Sequence, residues 1–336
     1  MSKLNIAKTI CIAVILLWLV GANPSSLLAS NNALGNDFDT KYEIGIDKHH
    51  APNDDPVVAG AGDIARCSMP QSAYTAALLA NIDGDVITFG DNTQVNGTAQ
   101  EFADCYNPTW GVYKSKTHPS PGNHDYNTTN AQPYYDYFGV PEYYSYDTGF
   151  WHLISLNSQI DIGSNSVQVQ WLRADLEAHR NICILAYWHR PRFSSSTVHP
   201  SDPSIGALWD VLYEYNVDVV LNGHNHLYER FAPQNPQGGA DPQGIREFTV
   251  GTGGGGTLYA YGNPIANSEV INNQTYGVIK LTLHQYSYDW EFIPIAGQTF
   301  TDSGSSACSS PTFVPDCHIM FPFCLDTFIP IIGRNK

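Results

Sequence analysis

Four short β-branched runs in this chain are each followed within one to five residues by a side chain able to bind a cation, and this coincidence constrains the fold more than any other feature. Val57 to Ala61 runs into Gly62-Asp63, Val86 to Phe89 into Gly90-Asp91, Ile182 to Tyr187 into His189, and Val217 to Leu221 into His224 and His226. Helix-like stretches over Gln71 to Ala80 and Ser166 to His179 lie between such runs, which is the pattern of an α/β domain. The second stretch places Val167, Trp171, Ala174 and Ala178 on one side at helical spacing. Phe248 to Val250 is a further run of the α/β pattern, and two hairpin patterns, Tyr143 to Asn157 around Thr148-Gly149-Phe150 and Tyr276 to Ile295, add antiparallel strands, so mixed sheets are expected. In open α/β sheets ligands gather at the carboxyl ends of strands. The polar residues that end the runs are therefore expected to converge.

Together with Gly122-Asn123-His124-Asp125 on a loop of its own, the set is Asp63, Asp91, Asn123, His189, His224 and His226. It offers two carboxylates, one amide oxygen and three imidazoles, a mixed oxygen and nitrogen shell that suits borderline transition metals such as iron, zinc or manganese. Calcium prefers oxygens alone. Six donors exceed what one ion with open positions needs, whereas two ions about 3.5–4 Å apart, bridged by a carboxylate and a hydroxide, use them economically. A glycine stands before Asp63, Asp91, Asn123 and His224, allowing tight turns and close backbone approach. A single His-x-His or Gly-Asp is weak evidence, since both occur by chance or as plain turns. The ordered set is specific.

Charge removes one class of partner. With 32 acidic against 16 basic residues the net charge is -16, so no general attraction to nucleic-acid backbones or anionic lipid is available. Lys3 and Lys8 precede an apolar stretch from Ile10 to Val20, which reads as a signal peptide within residues 1–30, cleaved after Ala22 or Ser30. The expectation is an exported protein, secreted or periplasmic, with no stable membrane insertion after cleavage; an uncleaved anchor is the other reading, but the stretch is short for a span. Seven cysteines fit this compartment: removing Cys11 with the leader leaves six, at spacings that match no zinc ribbon or redox pair, and disulfides are expected. Cys67 and Cys105 each lie near a site motif and are expected to pair. Residues 31–55 read as a polar linker, and 303–336 as a tail rich in Ser, Pro and Cys without clear period. Oligomeric state is not legible.

The ordered residues resemble the calcineurin-like metallophosphoesterases, and within them the small purple acid phosphatases that include the tartrate-resistant type. That pattern is Gly-Asp, Gly-Asp-x-x-Tyr, Gly-Asn-His-Asp/Glu, a lone His after a strand, and Gly-His-x-His. Here it reads Gly62-Asp63, Gly90-Asp91-Asn92-Thr93-Gln94, Gly122-Asn123-His124-Asp125, Tyr187-Trp188-His189 and Gly223-His224-Asn225-His226. The resemblance covers about residues 56–300 and implies a catalytic domain over 56–302 with a four-layer αββα sandwich, two mixed β-sheets flanked by helices. It implies a first metal on Asp63, Asp91 and His226 and a second on Asp91, Asn123, His189 and His224. It also implies that His124 contacts the phosphate of a small phosphorylated substrate and assists the leaving group, and that His199 is a second substrate-facing histidine. Asp125 is expected to orient the His124 imidazole.

The implied activity is hydrolysis of phosphomonoesters by a hydroxide held between two cations. Phosphodiester hydrolysis on the same fold, and a non-enzymatic binding protein with a remnant site, are the alternatives. Two positions depart from the pattern: Gln94 stands where the family has a tyrosine ligand, and Ala65 where other metallophosphoesterases have a histidine. The first metal thereby loses an anionic donor, and with it the tyrosinate that favours ferric iron and gives the purple colour. Arg66, Arg190 and Arg192 flank the ligands, with phosphate binding and structural ion pairing both open; the glycine-rich Gly251 to Gly256 lacks the Gly-Lys-Ser/Thr of a phosphate loop and reads as a strand-to-loop return.

Overall fold

Thirteen strands pair into two mixed sheets in the computed structural model, which describes residues 55–180 and 183–309. The first sheet has the order β13-β12-β11-β1-β2-β3, from Val57–Ala61 (β1), Asp85–Phe89 (β2), Thr117–Ser120 (β3), Gly277–Leu283 (β11), Ser287–Pro294 (β12) and Ser303–Ala307 (β13). The second has the order β10-β8-β9-β7-β6-β5-β4, from Tyr144–Thr148 (β4), Trp151–Ser155 (β5), Cys183–Trp188 (β6), Val219–Asn222 (β7), Tyr228–Phe231 (β8), Arg246–Val250 (β9) and Ser268–Asn272 (β10). β1, β2 and β3 run parallel, as do β5, β6, β7 and β9; the hairpins β4–β5 and β11–β12 supply antiparallel pairs. The expected strands and both hairpins are present, and the leader, most of the linker, Cys317 and Cys324 lie outside the described residues. Among the described residues no helix is long and apolar enough to cross a membrane.

Alternation along β6 explains the layers. Cys183, Leu185 and Tyr187 point into the core between the sheets, while Ile184, Ala186 and Trp188 join a second core under the helices. A strand buried on both faces must be apolar throughout, which is why its sequence shows an unbroken run. The outer core is closed by α3 (Val167–Ala178) and α4 (Gly206–Glu214), and α1 (Gln71–Leu79) packs its Ala76 and Leu79 onto the first sheet; α2 (Gln132–Phe138) adds the buried Tyr134. This is the expected four-layer arrangement. β12 instead alternates buried Tyr288, Trp290 and Phe292 with solvent-facing Asp289 and Glu291, because part of that outer face carries no helix.

One expected face is wrong. Val167, on the side of α3 picked out by helical spacing, is 76% exposed, and the buried residues are Gln168, Val169, Leu172 and Leu176. The true stripe is Val169, Leu172 and Leu176, spaced three and four residues apart, whereas the expected stripe gave weight to weakly apolar alanines. Ser166 caps the helix by accepting from the Val169 N–H at 3.2 Å. The stretch after Asp302, read as lacking a period, begins with edge strand β13 on β12. Its small residues leave little side-chain pattern to see. A disulfide joins Cys308 to Cys183 at the start of β6, and the expected pair Cys67–Cys105 is present.

Hairpin β4–β5 is tied to α3 by His152. This side chain is 1% exposed, its Nδ1 lies 2.7 Å from Asp147 Oδ1 and its Nε2 2.8 Å from Asp175 Oδ2, and its ring stacks on His179 at 3.7 Å. Burial opposes the charged imidazole, but the two carboxylates outweigh it and raise the pKa above 6.5. The folded value exceeds the unfolded one, so the clamp's contribution is complete below the unfolded pKa and is lost as pH rises through the folded value. His152→Leu is expected to cost about 2–4 kcal/mol in acid solution, allowing for the exposed Asp147. Denaturant unfolding at pH 5 and pH 9 checks this: the gap between wild type and variant should narrow at the higher pH.

Candidate metal centre

Three strands of the first sheet and two of the second end at one point. Asp63 follows β1, Asp91 follows β2, Asn123 lies just beyond β3, His189 follows β6, and His224 and His226 lie just past β7. The turns are abrupt: Asp63, Asp91 and His224 adopt left-handed backbone angles with φ of 58°, 51° and 68°. Non-glycine residues in this region carry strain of about 1–3 kcal/mol each, which the packed surroundings must hold. Gly90, with φ of 80°, shows why no larger residue precedes Asp91, since a Cβ there would lie 2.6 Å from the His189 ring.

Each carboxylate uses its two oxygens differently. Asp63 Oδ2 accepts from the His224 backbone N–H at 2.8 Å, and Asp91 Oδ1 accepts from the His124 backbone N–H at 2.7 Å. The other oxygens face the site: Asp63 Oδ1 is 3.1 Å from His226 Nε2, and Asp91 Oδ2 is 3.3 Å from His189 Nε2. His189 Nε2 is also 3.0 Å from Asn123 Oδ1 and 3.2 Å from His224 Nδ1. The outward nitrogens of two imidazoles are spoken for, because His189 Nδ1 donates to the Phe89 carbonyl at 2.8 Å and His226 Nδ1 to the Thr257 carbonyl at 3.0 Å. This second bond fixes the tautomer and aims Nε2 inward, the arrangement usual for metal-ligating histidine. All six donors selected from the sequence meet here.

The electrostatics agree. Burial raises the Asp91 pKa, but the His189 and His124 imidazoles overcome it and hold the carboxyl at about 2. Burial likewise lowers His189, yet Asp91 and Asp63 raise it to about 9, while burial and the neighbouring His189 and His199 drive His224 down to about 2. Two buried carboxylates thus draw positive charge to the site as a proton on His189, which a bound cation taking the Nε2 lone pair would displace. The donor set fits divalent or trivalent transition cations, with Asp63, Asp91 and His226 able to hold one and Asp91, Asn123, His189 and His224 a second.

Gln94 fills the position of the missing tyrosine. It is buried, and its Nε2 donates to Asp63 Oδ1 at 3.1 Å and Asp91 Oδ2 at 3.2 Å. His124 is partly exposed beside the cluster, with Nε2 3.8 Å from Asp91 Oδ2. Its Nδ1 donates to the Val95 carbonyl at 2.8 Å, a partner that nothing in the sequence marks. Asp125, expected to orient that ring, instead accepts from the backbone N–H of Gly122 at 2.9 Å and from Asn92 Nδ2 at 3.1 Å; it braces the loop. A short side chain one residue along the turn points to the opposite side. His199 lies over the His224 ring at 4.1 Å, beside the cluster.

Arg190 is held by Asp202 at 3.2 Å and by the Ser158 carbonyl at 3.0 Å, the structural role of the two considered. The Gly251 to Gly256 segment makes a wall of the site: Gly253 N–H donates to the Gly62 carbonyl at 3.0 Å, Gly255 N–H to the Asp63 carbonyl at 2.7 Å, and a Cβ on Gly256 would collide with the His226 ring. Tyr259 stacks on that same ring at 4.1 Å. Sequence reasoning missed both; the signal was the run of glycines after β9, which close approach to a ligand turn demands.

Residues 56–228, just over half of the chain, match the family model described as calcineurin-like phosphoesterase. Purple acid phosphatase 22 of Arabidopsis thaliana is 28% identical over 216 residues, covering 55% of this chain and 48% of the relative. Acid phosphatase type 7 of Homo sapiens is 34% identical over 140 residues, covering 34% and 32%. The chain spans about half or less of the length of these relatives. Among solved structures, the purple acid phosphatase PPD1 of yellow lupin (Lupinus luteus) seeds superposes with a TM-score of 0.62 at 19% identity, over 75% of this chain and 53% of that one. GAP50, the anchor in the inner membrane complex of Plasmodium, does so with 0.58 at 15% identity, over 74% and 88%. These likenesses show the fold. Because the family match covers just over half of the chain and runs through all six donor positions, the chain belongs to the calcineurin-like phosphoesterase family.

Proposed function

We propose that this chain is a metal-dependent phosphatase, an exported phosphoric monoester hydrolase of acid-phosphatase type that works with two bound metal ions. The observation that carries the reading is the convergence of inward-facing donor atoms from Asp63, Asp91, Asn123, His189, His224 and His226 at one buried point, with the partly exposed His124 beside it. The names of the relatives, purple acid phosphatase 22 and acid phosphatase type 7, support the phosphatase reading. When bound, the cation pair supplies the activated water and the charge neutralisation that phosphoryl transfer requires.

The chain's own residues supply the rest. Asp63 and Asp91 fix the site's negative charge through the backbone amides that anchor them. His124, with Nδ1–H committed to the Val95 carbonyl, would act as the imidazolium, its Nε2–H hydrogen-bonding a phosphoryl oxygen and then passing its proton to the departing alkoxide, which leaves the ring neutral. His199 faces the substrate from above His224. Asp125 keeps Gly122 and Asn92 in register, so that Asn123 and His124 emerge at the correct height.

Gln94 offers only an amide between the two carboxylates, so the first ion has no anionic tyrosinate donor. A divalent or mixed pair follows, and purified protein loaded with iron, zinc or manganese is expected to show no strong visible charge-transfer band; such a band in the absorption spectrum would sink this assignment. Asp91→Ala is expected to abolish hydrolysis and lower metal content together, read by elemental analysis beside assays on a phosphate monoester and a diester. Full activity with two metals retained would refute Asp91 as a ligand, two metals without turnover would favour a binding protein, and a faster diester would favour the phosphodiesterase reading. His124→Ala is expected to keep both metals and lose about 10²-fold or more in kcat. That loss should shrink for esters with acidic leaving groups, which depart without a proton.

A further inference from the structure

Between the two ligand histidines of Gly223-His224-Asn225-His226 sits a residue that binds nothing in the site and is nonetheless fully buried. Its carboxamide Nδ2 donates to the His199 carbonyl at 2.9 Å and to Ser194 Oγ at 2.9 Å. We propose that Asn225 is the positioning residue for His199, holding the loop that carries it so that its ring lies over His224. The proposal rests on the reading of His199 as a substrate-facing histidine.

The loop is built around that amide. Ser194 Oγ accepts from the Ser196 N–H at 3.1 Å, and Ser196 Oγ in turn accepts from the Val198 N–H at 3.1 Å, so the hydrogen bonds run from Asn225 along the loop toward His199. Its base is fastened elsewhere, with the Ser195 N–H donating to the buried Glu229 at 2.9 Å and the Arg192 N–H to the buried Glu247 at 2.9 Å. Glu229 and Glu247 fasten the start of the loop, and Asn225 ties that start, at Ser194, to its far end at the His199 carbonyl. The resulting pose places the His199 ring 4.1 Å from His224 at 28° and edge-on to Tyr259 at 5.6 Å. Because Asn225 shares its turn with His224 and His226, the substrate-facing ring is indexed to the metal ligands themselves. An aliphatic residue at that place would fill the space and supply no donor.

The test uses the full chain loaded with zinc, which is diamagnetic, and compares wild type, Asn225→Leu, His199→Ala and the pair. Asn225→Leu is expected to lower kcat/KM for a phosphate monoester about tenfold, the worth of two hydrogen bonds, with metal content unchanged. The double variant is expected to be no worse than His199→Ala, as two residues acting in one chain of contacts are non-additive. Multiplying losses, or a loss of metal, would overturn the proposal. The His199 ring C–H resonances, assigned by their disappearance in His199→Ala, report the stacking without any turnover; they should move toward free-histidine positions in Asn225→Leu, and unmoved resonances would refute the role. Should Asn225→Leu fail to fold, Ser194→Ala removes one acceptor and is expected to give a smaller shift in the same direction, its absence counting against the proposal. If wild type hydrolyses no phosphate ester, the hydrolase reading falls while the resonances still decide Asn225.

Discussion

Two buried carboxylates brought to one point repel each other, and a fold can keep them there only by dividing their charge among fixed partners. In this protein each gives one oxygen to a main-chain amide from the opposite motif: Asp63 to His224, across from the other sheet, and Asp91 to His124, from the neighbouring loop. The remaining oxygens are left for imidazoles, for Gln94, and for cations. The left-handed backbone at Asp63, Asp91 and His224 accompanies that exchange, and the packed surroundings must hold its strain. The two sheets are therefore joined at the site by the same bonds that make it a site.

The rest of the architecture serves this junction. β6 and β7 are buried on both faces, which fixes the carboxyl ends of those strands against sliding and so fixes His189 and His224. The glycine-rich return after β9 lies against Gly62, Asp63 and His226, closing the cluster on the side that a longer side chain would have pried open. Arg230 and Tyr228 of β8 both bond Asp302 at 2.7 Å, tying the second sheet to the approach of β13 in the first.

What the sequence disclosed was what depends on residue identity at fixed spacing. The β6 run is continuous because both its faces are covered, and the donors after each strand are legible because catalysis or binding leaves chemistry that packing would not choose. What stayed hidden depends on main-chain atoms and on space. The Val95 carbonyl that holds His124 has no sequence signature, since every residue carries a carbonyl. Asp125 and His124 are neighbours in sequence, yet the turn sends them to different partners. The face of α3 was misread because alanine matches either environment, and Leu172 and Leu176 decide the matter only once the sheet beneath them is known. Asn225 could be recognised as part of a motif but not as a donor to a loop 26 residues earlier.

The disulfide between Cys183 and Cys308 has a consequence for the chain as a covalent object. It joins residues 125 apart in sequence, closing a ring that includes β6 through β13 and begins at the foot of the strand leading to His189. A single backbone cut anywhere on that circuit opens the ring without severing it, so the two pieces travel together and the histidine turns on either side of the nick keep their common anchor. Only a reductant and a cut acting together would let the halves part.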